Sequence, residues 1–284
     1  MSELVYLNGS LISRDQAWIS PLDYGFLYGF GLFETMRAYN GRVFRMESHL
    51  ERLESAAGVL GLQIDVVELK EAVQNTLFAN QLQDARVRIT VSAGEGEMVP
   101  DPATCIKPTV MITAGHYHPY PEQTYNRGFT VSVSSIRRNS ESPLARLKST
   151  NYLESMLARR EARSSGYDEA ILLNEKGLLA EASMSNIFVI SDGMLRTPGQ
   201  ESGILPGITR NVVLSLASQL GIDTTEQDID PHVMFHAEEV FITSSLIEVM
   251  PVTRVNTSPV GNGEPGPVTR RLMNAYKSLV IAEK

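Results

Sequence analysis

The chain reads as a mixed α/β (α+β) protein of two domains, on three observations. Segments with hairpin turns alternate with amphipathic helical segments. That order runs once before residue 116 and starts again after residue 128. Between them lies a stretch with two prolines, three tyrosines and few aliphatic residues, the composition of a connector. A doubly wound parallel sheet would instead alternate single strands with single helices. The expected division is a small N-terminal α/β domain over 1–117, a linker over 118–127 and a large C-terminal domain over 128–284. With 284 residues, 43% of them hydrophobic, the chain can fill two cores.

The elements follow in order. Residues 4–8 and 10–13 flank Gly9 and form a short hairpin. Residues 32–39 and 42–45 form a stronger one, because Asn40-Gly41 supplies the positive φ that a tight turn needs. Leu50, Leu53, Ala57 and Leu60 recur at helical spacing over 46–60, and Gly61 is placed to stop that helix. A second amphipathic helix covers 66–80, and strands cover 86–92 and 109–114. Beyond the linker, 129–135 is a strand, 151–164 a helix and 170–173 a strand. Glu175-Lys176-Gly177 turns into a strand at 178–182, and the strand at 186–190 turns through Asp192-Gly193. A helix at 211–220, a strand at 240–243 and a terminal helix at 268–282 complete the chain.

Composition removes several function classes. Lys plus Arg number 25 and Asp plus Glu 33, a formal charge of -8. Such a chain has no long-range attraction for phosphate backbones or anionic lipid, so neither nucleic acid nor membrane is an expected partner. Cys105 is the only cysteine, which favours a reducing compartment. Residues 1–10 lack a basic start followed by an apolar run, so no secretory signal is expected. No uninterrupted apolar run approaches the roughly 20 residues that span a bilayer. A soluble, cytoplasmic protein is expected.

Familiar motifs are missing. Gly25, Gly29 and Gly31 do not have Gly-x-Gly-x-x-Gly spacing and precede a strand where a helix is required. Residues 261–266 lack Gly-Lys-Ser/Thr, and no Gly-x-Ser-x-Gly elbow is present. His116 and His118 have no further ligands nearby, so no metal site is expected.

Four quieter features agree with one another. Leu205-Pro206-Gly207-Ile208-Thr209-Arg210 opens a helix, whose first-turn N–H groups and positive dipole end make an anion cradle. Phe241-Ile242-Thr243-Ser244-Ser245 ends a strand in three hydroxyls. Lys148 stands among apolar neighbours near a helix start, and partial desolvation lowers an amine's pKa toward that of a Schiff-base nucleophile. Glu181 follows Leu178-Leu179-Ala180 in a buried strand, where a carboxylate needs a positive partner. Alone, these are an ordinary helix start, a hydroxyl-rich turn, a solvated lysine and a paired glutamate. Together they supply an amine for an aldehyde, a carboxylate for a protonated ring nitrogen and donors for a phosphate. Pyridoxal 5'-phosphate needs all three.

The chain resembles the fold-type IV family of pyridoxal-phosphate enzymes, the class IV aminotransferases. These comprise branched-chain aminotransferases, D-amino-acid and (R)-amine transaminases, and aminodeoxychorismate lyases. The resemblance runs from Asn8-Gly9 through Pro251-Val252. Its most specific stretch is Glu181-x-Ser183-x-x-Asn186-Ile187-Phe188, with Lys148 placed 33 positions before Glu181. Pro206-Gly207-Ile208-Thr209-Arg210 and His49-Leu50-x-Arg52-Leu53 also fall where the family has them.

The resemblance implies a two-domain fold-type IV enzyme, homodimeric, with the cofactor at the domain interface and bound by the larger domain. It implies that Lys148 forms the Schiff base and shuttles the α-proton, while Glu181 pairs with the pyridine nitrogen. Arg52 would grip the phosphate with the backbone of Ile208 and Thr209, and Ser245 with Ser244 would complete that cradle. Tyr152 would lie near the phenolic oxygen. Tyr28, Phe33, Arg88, Ser245 and Leu246 would bound the substrate, Arg88 facing a carboxylate.

Within the family the wording is divided. Phe33-Glu34-Thr35-Met36-Arg37 replaces the branched-chain Phe-Glu-Gly-Ile-Arg, and Glu181-Ala182-Ser183-Met184-Ser185-Asn186 replaces Glu-Gly-x-Gly-Glu-Asn. Ser244-Ser245-Leu246-Ile247 stands for Gly-Thr-Ala-Ala, and residues 94–102 lack the Arg-x-His trap of D-amino-acid enzymes. Ser20-Pro21-Leu22-Asp23-Tyr24-Gly25 and Ser135-Ile136-Arg137-Arg138-Asn139 are similar to the bacillary type of aminodeoxychorismate lyase. The expected reaction is amino transfer between a small amino acid or amine and a 2-oxo acid. The alternative is elimination of pyruvate from aminodeoxychorismate to give 4-aminobenzoate, and a non-catalytic scaffold ranks third.

Overall fold

A computed structural model of the protein describes residues 3–283. The chain forms two compact units. Among the described residues, one is 3–118 with Leu147–Asn151 and Glu283, and the other is Pro119–Arg146 with Tyr152–Ala282.

In the first unit, β1 (Leu4–Leu7), β2 (Ser10–Ser13), β3 (Gly31–Tyr39), β4 (Arg42–Val43), β5 (Ala85–Ser92) and β6 (Thr109–His116) form an antiparallel sheet. Its order is β2-β1-β6-β5-β3-β4. Asn40 and Gly41 take φ values of 50° and 77°, so both turn residues of the β3–β4 hairpin are left-handed, as a type I′ turn requires. Helices α1 (Tyr24–Tyr28), α2 (Met46–Leu60) and α3 (Val66–Ala79) complete the unit. Gly61 ends α2 at φ 69°, and the Asp65 carboxylate caps α3 by accepting from the N–H groups of Val67 and Glu68.

Strand alternation divides β3 into two faces. Leu32, Met36 and Ala38 join Val87, Ile89, Leu50, Leu53 and Val73 in the core. Glu34 has the same parity and is buried with them. Phe33, Thr35 and Arg37 point the other way, opposite Thr90, Arg88 and Arg86 of β5.

The second unit holds a nine-stranded sheet. Its strands are β7 (Phe129–Arg138), β8 (Glu169–Asn174), β9 (Leu179–Ala182), β10 (Asn186–Ser191), β11 (Met194–Thr197), β12 (Thr224–Glu226), β13 (Glu239–Ser244), β14 (Glu248–Val255) and β15 (Ser258–Pro259). The order is β12-β11-β10-β13-β14-β7-β8-β9, with β15 on β14. Parallel pairing is confined to β11–β12, β14–β7 and β7–β8. Helices α4 (Glu122–Arg127), α5 (Leu153–Ser164), α6 (Ile208–Gln219), α7 (His232–His236) and α8 (Pro267–Ala282) complete the unit. Ala158 and Ala162 of α5 pack on Ala170 and Leu172 of β8, small side chains that let helix and sheet approach closely. No helix among the described residues is long and apolar enough to cross a membrane.

Three differences from the sequence reading have physical causes. The connector is not bare: α4 forms within it because Tyr125 buries its ring in the second core and donates its hydroxyl to the Ile247 carbonyl at 3.2 Å. Lys148 is not at a helix start. Residues 147–151 run extended beside β3, with Ser149 bridged to Leu32, and α5 begins only at Leu153. The strand β14 was not anticipated, since Pro251 interrupts its pattern.

Candidate active site

Lys148 is fixed by backbone pairing. The Phe33 N–H donates to the Lys148 carbonyl at 2.9 Å, and the Thr150 N–H donates to the Gly31 carbonyl at 2.8 Å. The Thr150 hydroxyl and Asn151 amide both donate to the Gly29 carbonyl, at 2.7 and 2.8 Å. The half-buried Lys148 amine then lies 4.6 Å from the centroid of the Phe33 ring, and the Arg88 guanidinium 3.8 Å from the same centroid. Arg88 also donates through Nε to the Thr90 hydroxyl at 3.2 Å. Two cations on one aromatic ring make a local positive field suited to an anionic group. Three of the predicted residues, Lys148, Phe33 and Arg88, thus converge. Tyr28 does not join this cluster of contacts: it ends α1, is 43% exposed and meets Tyr24 edge-on at 4.8 Å.

Arg52 emerges from α2 into a buried ion pair. Its Nε and Nη2 donate to the two oxygens of Glu34 at 2.8 and 2.7 Å, and His49 Nδ1 reaches Glu34 Oε2 at 2.7 Å. Burial alone would raise the Glu34 pKa, but the Arg52 charge and the His49 hydrogen bond outweigh it and hold the carboxyl at about 2. Burial pushes the His49 pKa down, so the ring is neutral and donates from Nδ1. Glu34 and His49 escaped the sequence reading as functional residues. Their signal was a carboxylate between Leu32 and Met36 on the inward face of a strand, which requires a cation.

A second buried carboxylate organises the other unit. Glu181, in the fully buried strand β9, accepts from Arg138 Nη1 at 2.5 Å through Oε1. Its Oε2 accepts from the Asn186 amide and from the Leu205 N–H, both at 3.1 Å. Asn186 also donates to the Leu205 carbonyl at 2.8 Å, and its backbone pairs with Thr243 of β13. A Cβ on Gly207 would fall 1.9 Å from Asn186 Oδ1, so only glycine lets the chain enter α6 here. Asn186 therefore ties together Glu181, the start of α6 and the end of β13. Ser183 donates its hydroxyl to buried Glu169, which Arg159 holds at 2.6 Å, locking the turn behind Glu181.

The remaining predicted residues lie around this network. Ile208 and Thr209 form the first turn of α6, which has no side-chain cap at Gly207. Ser244 ends β13, and Ser245 and Leu246 lie in the tight turn to β14. Tyr152 is the N-cap residue of α5, whose second and third residues, Glu154 and Ser155, meet Arg138. Arg138 was missed as a site residue because its partner is 43 residues away in sequence.

Residues 31–255 match the family described as amino-transferase class IV. The chain is 38% identical to a putative branched-chain-amino-acid aminotransferase of Methanocaldococcus jannaschii, over 97% of this chain and 96% of that one. It is 34% identical to an aminodeoxychorismate lyase of Bacillus subtilis, over 96% and 94%. The T.th. branched-chain amino acid aminotransferase, solved with pyridoxamine 5'-phosphate, superposes with a TM-score of 0.95 at 30% identity, covering 100% of this chain and 96% of that one. The chain belongs to the class IV aminotransferases, enzymes dependent on pyridoxal 5'-phosphate, and has their two-domain mixed α/β fold. Within the second unit the residues fit that cofactor: a buried, arginine-held carboxylate and an uncapped 12-residue helix start.

Proposed function

We propose that the protein transfers an amino group between a small amino acid or amine and a 2-oxo acid, with Lys148 as the reactive amine and proton carrier. The bound cofactor supplies an aldehyde for amines and an electron-withdrawing ring. Lys148 Nζ shares the Phe33 ring with the Arg88 guanidinium and is the amine that takes a proton from a substrate carbon. Glu181 holds the ring nitrogen. The N–H groups of Ile208 and Thr209, the hydroxyls of Ser244 and Ser245, and Arg52 hold the phosphate. Glu34 keeps the Arg52 guanidinium in one orientation for that task. Tyr152 serves the phenolic oxygen, while Tyr28, Phe33, Arg88, Ser245 and Leu246 bound the substrate.

The observation that carries this reading is the Asn186 network, which puts a buried carboxylate and an uncapped helix start on one side chain. Borohydride reduction of the loaded enzyme, followed by peptide mapping, is expected to label Lys148; a label elsewhere defeats the proposal. Lys148→Ala is expected to lower turnover by about a thousandfold or more while the fold persists. The likeness to the Bacillus subtilis lyase sustains a second reading, loss of pyruvate from aminodeoxychorismate. Amino transfer to 2-oxoglutarate from L- and D-amino acids is the expected activity. Release of 4-aminobenzoate alone would select the lyase instead.

Homodimerisation belongs to the same proposal and is supported by the exposure of Trp18, Phe26, Met98, Val99 and Ile106, all in the first unit. Sedimentation equilibrium is expected to give twice the chain mass. A cytoplasmic location is supported by the single cysteine.

A further inference from the structure

We propose that Arg138 is the positioning residue that keeps the ring proton of the bound cofactor on nitrogen, acting through Glu181. The inference rests on the reading of Glu181 as the partner of that nitrogen. Arg138 is itself mostly buried and doubly anchored: Nη1 donates to Glu181, Nη2 donates to Ser155 at 3.1 Å, and Glu154 lies 3.5 Å from Nε. Burial works against its charge, but Glu181, Glu154 and Tyr152 outweigh burial and raise its pKa above the ordinary value. The guanidinium is therefore a permanent, immobile cation on Oε1, while Oε2 accepts from Asn186 and Leu205.

The effect on a shared proton follows from Coulomb's law at short range and low dielectric. A proton between a carboxylate and a ring nitrogen can rest on either. On the carboxylate it sits nearer the Arg138 charge and cancels the anion to which Arg138 is bonded. On the nitrogen it leaves that anion intact and moves positive charge away from the guanidinium. Arg138 thus favours the arrangement in which Glu181 is ionised and the ring is the cation. The two neutral donors on Oε2 act in the same direction but carry no full charge. No electron or co-reactant is involved; one proton is partitioned between two sites.

The test is the ring-nitrogen signal of the holoenzyme loaded with nitrogen-15-labelled pyridoxal phosphate, referenced to the free cofactor at acid and alkaline pH. The wild-type signal is expected near the protonated reference. Arg138→Gln keeps a donor toward Glu181 but removes the charge, and its signal is expected to move toward the unprotonated reference. Arg138→Lys restores the charge and is expected to return the signal most of the way. A structural role alone would lower the melting temperature of both variants without separating their signals. An unmoved signal in Arg138→Gln, or equal movement in both variants, overturns the proposal. Should Arg138→Gln fail to fold, Ser155→Ala frees one end of the guanidinium. A smaller shift in the same direction is then expected, and no shift overturns it. Glu181→Gln separates the two layers. If it moves the signal and Arg138→Gln does not, only Arg138 is misassigned; if neither moves it, the Glu181 reading falls as well.

Discussion

Glu34 and Glu181 are both buried carboxylates met by an arginine, yet they are built for different work. All the contacts described for Glu34 come from one helix face, Arg52 and His49 at a three-residue spacing on α2. Those for Glu181 come from three places: Arg138 at the end of β7, Asn186 on β10 and the backbone ahead of α6. The first arrangement orients a single guanidinium. The second fixes the relative positions of three chain segments, so a change there is felt by backbone as well as by side chain.

Breaking the first arrangement should have the largest effect on folding. Glu34→Ala strands Arg52 and the His49 N–H without a carboxylate, and a loss of about 3–5 kcal/mol is expected, read from the denaturant midpoint. Glu34→Gln should cost less and, on the role proposed for Arg52, still weaken cofactor binding, because one amide cannot accept from both Arg52 nitrogens and His49 at once. A Glu34→Ala variant of unchanged stability would show that the pair is incidental.

The second arrangement should respond through geometry. Gly207→Ala sets a methyl against Asn186 Oδ1, and about 1–3 kcal/mol of overpacking is expected. The cofactor dissociation constant should rise by more than the stability loss alone implies, because Asn186 would be pushed off both Glu181 and Leu205. Equal affinity in the variant and the wild type would argue against the hub.

Acid titration gives the smallest and most selective contrast. Glu34 has its folded pKa lowered from 4.5 to about 2, so its contribution is intact above about pH 4.5 and lost as pH falls through 2. The His49 pKa is lowered by burial, so its contribution is intact above its ordinary 6.5 and erodes as pH falls below it. Chemical denaturation as a function of pH is expected to show both stages. His49→Gln should remove the near-neutral stage and leave the acidic one.

Much of this was legible in the sequence, and the exceptions share a cause. Asn40-Gly41 and the spacing of Leu50, Leu53 and Ala57 announce their elements because turn chemistry and helical period are local. The motif from Glu181 to Phe188 marks the second site because its residues are held by one turn. The extended course of 147–151 was hidden, since its partners are Gly31 and Leu32 and nothing in its own residues has a strand period. Arg138 escaped for the same reason. A buried acid advertises that it needs a cation, but not which one.

The placement of 147–151 along β3 also sets an order of events during synthesis. A nascent chain released only as far as residue 118 has all six strands of the first sheet but lacks the strip that lies along β3. The ribosome must deliver some thirty further residues, most of which belong to the other unit, before the strip can dock. Lys148 is thus withheld until translation has passed the connector, and a truncated product would carry Phe33 and Arg88 without the lysine proposed to act beside them.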